Sequence, residues 1–305
     1  MKPPSWLKAP DVEREREFER RNVLRKREQY LATNPLERCE ADPAYRAKVD
    51  FIAARLGPVA GRVLDVGGNT AGEATVLRQR GYRMVVGDIN EAALDISRER
   101  VVKFGLAPPE FVAFDAHAMP FADGSFAAVT IIEALHHMVD YGKVLAEARR
   151  VLEPGGLLFS MEPNAWNPIR RAGEVRDRFR GTIEKSFYPG QLRRLAEAAC
   201  FEEVEVEGFG IEKPEWKLRE VPGYRRWLFR LHCELGLRFP GVFGSLSLRA
   251  RKAGRTEGRE DQPLAAILRG PGGGGEIRFD AGSGRWVERG GERSFEDLNG
   301  IPVLV

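Results

Sequence analysis

Three carboxylates follow predicted strands, and each could bind one part of a nucleoside-like ligand. Asp65 lies at the end of the apolar run RVLDV, Asp88 ends YRMVVGD, and Asp115 follows EFVAF. An acid about 20 residues beyond a glycine-bearing turn can accept hydrogen bonds from ribose hydroxyls, which suits Asp88. Asp115 could accept a hydrogen bond from an adenine amino group, and Asp65 could orient the turn and contact an ammonium group. Taken singly, each acid is also typical of a helix cap or a loop.

The turn itself lies in VLDVGGNTAGEAT (63–75), between a predicted strand and a predicted helix. Gly67 and Gly68 would let the backbone approach a ligand closely, and the helix that follows offers free N-terminal amides. A single glycine-rich loop also occurs in other doubly wound proteins. The segment therefore indicates ligand binding only together with the three acids.

Histidines and further carboxylates are candidates for acid–base chemistry. IIEALHHM (131–138) lies at the carboxyl end of a predicted fourth strand, where doubly wound sheets bind their ligands. Adjacent side chains point in different directions, so at most one of His136 and His137 is expected to reach the reaction centre as a general base. Glu133 and Glu162 are the supporting acids. No third ligand stands at useful spacing, which disfavours a metal, and a structural role for both histidines is the alternative.

The elements that must position these residues follow from the hydrophobic pattern. Between residues 62 and 163, short apolar strands alternate with helices, which predicts βαβ units and a parallel sheet covered on both faces. We predict an α/β fold with a Rossmann-like, seven-stranded, mostly parallel sheet flanked by helices. The expected divisions are an N-terminal helical arm (1–43), a central domain (44–253), a linker (254–262) and a small β-rich C-terminal module (263–305).

Two further helical segments could reach the site. Residues 11–31 are charge-dense and contain no glycine or proline, which predicts one helix. That helix is either a solvated arm or a lid that contacts the ligand through Tyr30. Residues 214–239 are both aromatic and basic, and we expect an amphipathic helix packed on the sheet. A wall of the acceptor pocket or a dimer surface is the alternative for this segment.

Composition excludes several classes of protein. The chain has 305 residues and a net charge of +3, from 48 basic and 45 acidic side chains, which gives no strong field for nucleic acid or membrane. Cys39, Cys200 and Cys233 lack metal-ligand or disulfide spacing, which favours a reducing compartment. No apolar run is long enough to span a bilayer, and no signal core begins the chain. We therefore expect a cytoplasmic protein without a membrane span.

Taken together, these segments resemble class I S-adenosylmethionine-dependent methyltransferases over residues 44–252. VLDVGGNTAG is similar to the cofactor loop of that family, VVGDIN to its ribose acid, AFDAHAMPFADGSFAAV to its adenine site and RVLEPGGLL to a late turn. The resemblance implies S-adenosylmethionine as the cofactor, with a separate set of contacts for each of its parts. By this resemblance Asp65, Gly67, Gly68 and Asn69 would hold the methionine part, Asp88 and Ile89 the ribose, and Asp115 and Ala116 the adenine. We also predict Tyr30 and Glu133 as cofactor contacts.

The loop departs from the usual Gly-x-Gly-x-Gly pattern of that family, because it reads Gly67-x-Asn69-x-Ala71. Asparagine tolerates a left-handed conformation, whereas Ala71 is expected to take a helix-compatible angle. The altered loop leaves open a fold relative that binds S-adenosylmethionine but performs other chemistry, such as a rearrangement.

The C-terminal segments LRGPGGGGEIRFD and SFEDLNGIPVLV resemble the small zinc-ribbon proteins that partner and activate some RNA and protein methyltransferases. Four thiolates build such a zinc site, and residues 263–305 contain no cysteine, so no zinc is expected. The resemblance implies a metal-free relic of the ribbon. Its expected role is scaffolding, dimerisation or covering of the pocket.

We predict methyl transfer to a small-molecule, sugar or natural-product acceptor at a hydroxyl, with His136 or His137 as the base. EALHHM, MEPNAWNPIRR and GTIEKSFYP resemble a bacterial subgroup that often methylates sugars, polysaccharides or other small metabolites. The expected partner is a small-molecule or glycan acceptor and no nucleic acid, with a homodimer as an option. An RNA- or protein-directed methyltransferase and a non-catalytic pseudo-methyltransferase are the remaining alternatives.

Overall fold

Short apolar segments form the central strands in a computed structural model, which describes residues 12–168, 170–171, 174, 185–210, 223–255, 262–290 and 293–305. In the first of these strands every residue is buried, which is typical of a sheet with helices on both faces. The first seven strands are β1 Arg62–Val66, β2 Arg83–Asp88, β3 Glu110–Phe114, β4 Phe126–Ile132, β5 Leu152–Glu162, β6 Phe201–Phe209 and β7 Ser245–Lys252.

The sheet is largely parallel. β1 pairs in parallel with β2 and β4, β2 with β3, and β4 with β5. β7 pairs antiparallel with β5 and β6, so the strand order is β6-β7-β5-β4-β1-β2-β3. The predicted α/β class with a Rossmann-like, mostly parallel sheet is confirmed. Because the parallel strands run in one direction, their carboxyl ends meet at one edge of the sheet.

The described residues before β1 form helices α1 Val12–Arg25, α2 Arg27–Ala32, α3 Pro35–Ala41 and α4 Pro43–Leu56. The prediction of one continuous helix over residues 11–31 is wrong, because the chain makes a turn at Lys26 between α1 and α2. The side chains of Asn34 and Asp42 cap α3 and α4 by accepting backbone N–H hydrogen bonds, and a proline follows each cap.

Helices between the strands cover both faces of the sheet. They are α5 Gly72–Gln79, α6 Glu91–Lys103, α7 Tyr141–Val151 and α8 Pro189–Ala198. Buried apolar side chains form one cluster that includes Phe126 and Leu145 and another that includes Ile52 and Leu94. Asn90 stands at the N-cap position of α6, but its side chain makes no capping hydrogen bond, and its amide is buried without a partner among the described residues.

Helices α9 Gly223–Arg238 and α10 Pro240–Phe243 precede β7. In the described part of α9, Trp227 is 61% exposed and Leu231 and Leu237 are also exposed, so these apolar side chains face solvent. Packing of residues 214–239 on the sheet stays a prediction. Residues 211–222 lie outside the described part. In the ranges that the structure describes, no helix combines the length and apolar character needed to cross a bilayer.

The C-terminal residues continue the same sheet. They form α11 Leu264–Ile267 and strands β8 Ile277–Asp280, β9 Arg285–Glu288, β10 Ser294–Leu298 and β11 Ile301–Leu304. β11 pairs in parallel with β3, with Val303 opposite Ala113, and β8 to β11 pair with one another in antiparallel order. The expected seven-stranded sheet is therefore extended to eleven strands in the described residues, and β11 covers the edge of β3.

Candidate functional site

A cavity of about 600 Å³ opens at the carboxyl ends of β1, β2 and β3. The three predicted acids, Asp65, Asp88 and Asp115, all line it because the parallel strands that carry them end at one edge. Of the other predicted site residues, His136 and Glu162 do not line the cavity. Those that do are Tyr30, Gly67, Gly68, Asn69, Ile89, Ala116, Glu133 and His137.

Two glycines let the turn after β1 lie against the cavity. Gly67 has a φ of 72°, and a Cβ there would lie 2.5 Å from the Cβ of Ala134. A Cβ on Gly68 would lie 2.5 Å from Cγ1 of Val86 and 2.8 Å from a carboxylate oxygen of Asp65. Neither position has room for a side chain, so the backbone itself forms this part of the wall.

The turn continues in a left-handed conformation at two residues that are not glycine. Asn69 has a φ of 45°, and Ala71 has φ 49° and ψ 38°. The expectation that Ala71 takes a helix-compatible angle is therefore wrong. A left-handed angle costs a residue with a Cβ roughly 1–2 kcal/mol. The Ala71 N–H donates to the carbonyl of Gly68 at 2.7 Å, and its methyl group is buried, so the surrounding packing holds the conformation.

Asp65 is buried beneath this turn. Its Oδ1 accepts a hydrogen bond from the hydroxyl of Thr130 at 2.7 Å. Burial raises the pKa of Asp65 to about 7, although the hydrogen bond from Thr130 opposes the shift. The carboxyl therefore titrates near neutral pH, and a cation in the cavity would favour its ionised form.

Asp88 connects the turn after β1 to the turn after β2. Its two carboxylate oxygens accept hydrogen bonds from the N–H groups of Asn69 and Asn90, each at 2.8 Å. Burial raises the pKa of Asp88 to about 6, against the effect of these two bonds. Each oxygen keeps a second lone pair, so Asp88 can still accept hydrogen bonds from hydroxyl groups in the cavity.

Asp115 is held by His117 at the end of β3. Oδ1 of Asp115 accepts the His117 N–H at 2.9 Å and lies 2.6 Å from His117 Nδ1. Nε2 of His117 accepts the N–H of Asp140 at 3.2 Å, which places the proton of a neutral His117 on Nδ1, facing Asp115. Burial raises the pKa of Asp115, but the hydrogen bonds from His117 outweigh it and lower the pKa overall. An ionised carboxylate thus lies beside Ala116.

The two neighbouring histidines have different surroundings, although their ring centroids are only 4.1 Å apart. His136 is buried, and its Nδ1 lies 2.7 Å from Oε2 of Glu162. Glu162 is fully buried and also accepts hydrogen bonds from the Leu135 N–H and the Ser160 hydroxyl. His137 lines the cavity. A molecule in the cavity can therefore touch His137, while His136 lies against Glu162.

Glu133 follows β4 with a φ of 53°, and its carboxylate accepts a hydrogen bond from Nζ of Lys48 at 2.9 Å. Lys48 also donates to Oε1 of Glu73 at 2.9 Å. Burial lowers the pKa of Lys48, but the two carboxylates outweigh it and raise the pKa above its ordinary value. The charge of Lys48 in turn lowers the pKa of Glu133. This ionic cluster joins α4, α5 and the end of β4.

The arm before β1 forms one side of the cavity. Tyr30 and Arg16 line it from α2 and α1. Arg16 also forms an ion pair with Glu91 of α6 at 3.0 Å, and Lys103 of α6 donates to the carbonyl of Leu31 at 2.8 Å. The arm is therefore placed against α6, beside the cavity.

Six charged residues that line the cavity were not predicted from the sequence, namely Arg16, Glu19, Arg38, Lys48, Glu73 and Arg100. All six belong to helices, where charged side chains are common and no motif distinguishes them. Only Glu73 had a signal in the sequence, because it is an acid in the first turn of the helix that follows the glycine turn, beside the predicted site. Within the described ranges, no group of three His, Cys, Asp or Glu side chains is placed to hold a metal ion.

Residues 64–160 match the protein-family model described as a methyltransferase domain. The mitochondrial 2-methoxy-6-polyprenyl-1,4-benzoquinol methylase of Drosophila melanogaster is 36% identical over 137 residues, which cover 39% of this chain and 45% of that protein. A demethylmenaquinone methyltransferase of Thermus thermophilus is 36% identical over 135 residues, which cover 44% of this chain and 60% of that protein. The chain thus spans about half the length of the curated relatives it matches.

Solved structures share the fold. A SAM-dependent methyltransferase of Thermotoga maritima superposes with a TM-score of 0.54 at 20% identity, covering 77% of this chain and 98% of that one. A geranyl diphosphate C-methyltransferase of Streptomyces coelicolor gives a TM-score of 0.52 at 17% identity, covering 68% and 78%. The prediction of a methyltransferase domain on a Rossmann-like sheet is confirmed for residues 64–160.

Proposed function

We propose that this chain is an S-adenosylmethionine-dependent methyltransferase that acts on a small-molecule acceptor. The observation that carries the proposal is the convergence of Asp65, Asp88 and Asp115 on one cavity beside the Gly67–Gly68 turn, within a segment that matches a methyltransferase domain. The cavity volume of about 600 Å³ is in the range of small-molecule sites.

The residues around the cavity fit this cofactor. The turn at Gly67 and Gly68 leaves backbone in contact with the cavity, which suits the extended methionine part. Asp65 is buried with a raised pKa, and the positive charge of the ligand would favour its ionised form. In this proposal Asp65, Gly67, Gly68 and Asn69 hold the methionine part, Asp88 and Ile89 the ribose, and Asp115 and Ala116 the adenine, with Tyr30 and Glu133 as further contacts.

The bound cofactor supplies an electrophilic methyl group, so the chain has to align the acceptor and accept a proton. We assign the role of base to His137, because it lines the cavity. His136 is assigned a supporting role behind it, since the carboxylate of Glu162 accepts a hydrogen bond from Nδ1 and so fixes the ring. Glu133 is held by Lys48 and adds negative charge at the same end of β4.

The acceptor class we propose first is a hydroxylated aromatic ring of the quinol type. Two relatives at 36% identity are named for a benzoquinol and for demethylmenaquinone. When a base removes the proton of a ring hydroxyl, both that oxygen and the adjacent ring carbons become more nucleophilic. His137 could therefore serve methylation at the hydroxyl, as the sequence predicts, or at a ring carbon. Sugar and glycan acceptors form the second class to be tested.

Binding of S-adenosylhomocysteine, measured by isothermal titration calorimetry, tests the cofactor site. Asp88→Asn and Asp115→Asn are each expected to weaken binding by about tenfold or more, because each loses a charged acceptor, and tenfold corresponds to roughly 1.4 kcal/mol. Glu202→Gln, at an exposed position of β6, is the matched control and should bind as the wild type does. Unchanged affinity in both site variants would refute the assignment.

Transfer of a radiolabelled methyl group to a panel of quinols, other phenols and sugars tests the reaction, and mass spectrometry with NMR locates the methyl group. Consumption of a substrate without methylation would support other chemistry on the same fold. A wild-type chain that binds no S-adenosylhomocysteine would support the pseudo-methyltransferase alternative. A salt-dependent shift with RNA would support an RNA-directed enzyme.

We also propose that residues 263–305 are a metal-free relic of a zinc ribbon with a scaffolding role. Glu288 supports this, because it accepts a hydrogen bond from the Gly275 N–H at 2.5 Å and pairs with Arg293 at 2.7 Å, which holds the glycine-rich loop to β9 without a metal.

A homodimer and a cytoplasmic location are two further parts of the proposed function. Light scattering of the purified chain tests the first, and fractionation of source cells tests the second.

A further inference from the structure

Two arginines line the cavity and form no ion pair with any residue that the structure describes. Arg38 belongs to α3 and Arg100 to α6. The guanidinium of Arg38 lies 4.1 Å from the centre of the Tyr45 ring. Arg100 is only 4% exposed and donates through Nη2 to the carbonyl of Thr70, while its Nε is buried without a hydrogen-bond partner. We call Arg38 and Arg100 the arginine pair.

Arg100 is buried without a carboxylate partner among the described residues, whereas Arg38 keeps an exposed surface where it lines the cavity. Burial has the largest effect on the pKa of Arg100 and lowers it, Tyr45 and Glu73 oppose that effect, and the charge of Arg38 lowers the pKa further by a smaller amount. Glu73 also lines the cavity, but its carboxylate is held by Lys48 at 2.9 Å. Because Arg100 is buried and buried charges are normally paired, an anion in the cavity would complete this site. The first turn of α5 lies at the same cavity, and its free amides also favour an anion.

We propose that the arginine pair binds the carboxylate of the methionine part of S-adenosylmethionine and thereby fastens the N-terminal arm to the α/β core. This inference rests on the proposed function and adds to it a contact for the acid group of the cofactor. A carboxylate has two oxygens and can accept hydrogen bonds from a guanidinium on each side. One guanidinium comes from the arm and the other from the core, so the ligand bridges two positive side chains from different parts of the chain.

Two ion pairs also connect the arm to α6 of the core. Arg16 pairs with Glu91 at 3.0 Å, and Arg27 pairs with Glu99 at 2.5 Å. All four side chains keep part of their surface in solvent, and exposed ion pairs of this kind contribute little to stability. Apolar packing of Val23 and Leu31 against Ala93 and Ile96 of α6 also holds the arm. A carboxylate on the arginine pair adds a further contact between arm and core, and so should slow opening of the arm.

Calorimetry with two ligands separates this role from a structural one. S-adenosylhomocysteine carries the carboxylate, whereas 5′-methylthioadenosine has the same adenosine part and no amino-acid part. Arg38→Gln should weaken binding of the first by about tenfold or more and change binding of the second less than about twofold. Arg100→Lys keeps the charge but loses the planar fork, so it should give a smaller loss that is also confined to the first ligand.

Arg21→Gln is the matched control, because Arg21 is an exposed arginine of α1 that does not line the cavity. It should bind both ligands as the wild type does. Equal losses for the two ligands in Arg38→Gln would indicate structural damage and overturn the inference, and so would an unchanged affinity for S-adenosylhomocysteine. A wild-type chain that binds neither ligand would overturn the proposed function itself.

Limited trypsin digestion measures closure of the arm directly, because Arg21 and Arg25 of α1 are exposed cleavage sites. S-adenosylhomocysteine should slow cleavage there several-fold in the wild type, and 5′-methylthioadenosine should not. Neither ligand should protect the arm of Arg38→Gln. Equal protection by both ligands would assign closure to the adenosine part and contradict the carboxylate bridge.

Discussion

Nδ1 of His136 lies 2.7 Å from Oε2 of Glu162, a carboxylate with no exposed surface. Glu162 also accepts hydrogen bonds from the N–H of Leu135 at 2.9 Å and from the hydroxyl of Ser160 at 3.2 Å. The backbone N–H of His136 is a fourth donor at 3.3 Å, so four carboxylate lone pairs face donors from β5 and from the segment after β4. This arrangement fixes the orientation of the His136 ring and joins two strand ends beside the cavity.

Glu162→Gln is expected to destabilise the protein by about 2–3 kcal/mol, because it replaces an acceptor oxygen by an NH₂ group that faces buried donors. Urea unfolding followed by circular dichroism measures the change. Glu202→Gln makes the same substitution at an exposed position of β6 and should change the free energy of unfolding by less than about 0.5 kcal/mol. Equal effects of the two substitutions would contradict the hydrogen-bonding described for Glu162.

His137→Gln is expected to lower kcat by about 10²- to 10⁴-fold, the range of general-base catalysis, while S-adenosylhomocysteine affinity stays within about twofold. The measurement is methyl transfer to the acceptor found in the panel, at several pH values. His136→Gln should lower kcat less, since His136 lies against Glu162 and not on the cavity wall. Wild-type turnover by His137→Gln across the pH range would reject a histidine base.

Affinity for S-adenosylhomocysteine is expected to rise with pH between about 5 and 8. The pKa values of Asp88 and Asp65 in the folded protein are about 6 and about 7, and a bound ammonium group favours their ionised forms. In Asp65→Asn the part of this rise near pH 7 should disappear. Calorimetry across this range measures it, and identical pH profiles for wild type and variant would exclude Asp65 as a ligand group.

In the ligand-free protein, the contribution of Asp65 to stability should fall as the pH rises. The pKa of Asp65 is raised on folding, so the folded state binds more protons than the unfolded state between about pH 4 and pH 7. The wild type should therefore become less stable relative to Asp65→Asn as pH rises through that range. Thermal melts at pH 4.5 and pH 8 check the sign, and a relative gain in stability at pH 8 would contradict it.

Leu304→Ala should destabilise the chain by about 2–5 kcal/mol, because Leu304 is 1% exposed on the strand that pairs with β3. Val305→Ala, one residue further on and 45% exposed, is the control and should change stability by about 0.5 kcal/mol or less. Urea unfolding measures both. Similar small effects would indicate that β11 does not pack on the sheet in solution.

The parts of the fold that sequence predicts best depend on local patterns. Alternating strands and helices place Asp65, Asp88 and Asp115 at successive strand ends, and a parallel sheet must bring such ends to one edge. Local sequence patterns were therefore sufficient to predict this part of the cavity. The glycine turn was located for the same reason, because only residues without a side chain fit at Gly67 and Gly68.

Contacts between distant segments were not predictable in this way. Arg38, Lys48 and Arg100 reach the cavity through the docking of whole helices, and their own neighbours in sequence carry no sign of it. The left-handed angle of Ala71 runs against the preference of the residue and is held by its surroundings. Pairing of β11 with β3 depends on which sheet edge is free, a property of the assembled fold.

That last pairing joins position 113 to position 303 and affects how the protein is made. The ribosome releases β3 long before β11, and in the meantime the outer edge of β3 presents unpaired N–H and C=O groups. Until β11 pairs with it, this exposed strand edge can associate with other copies of the nascent chain. Closing so long a loop also makes the attachment of β11 a late and slow event in refolding.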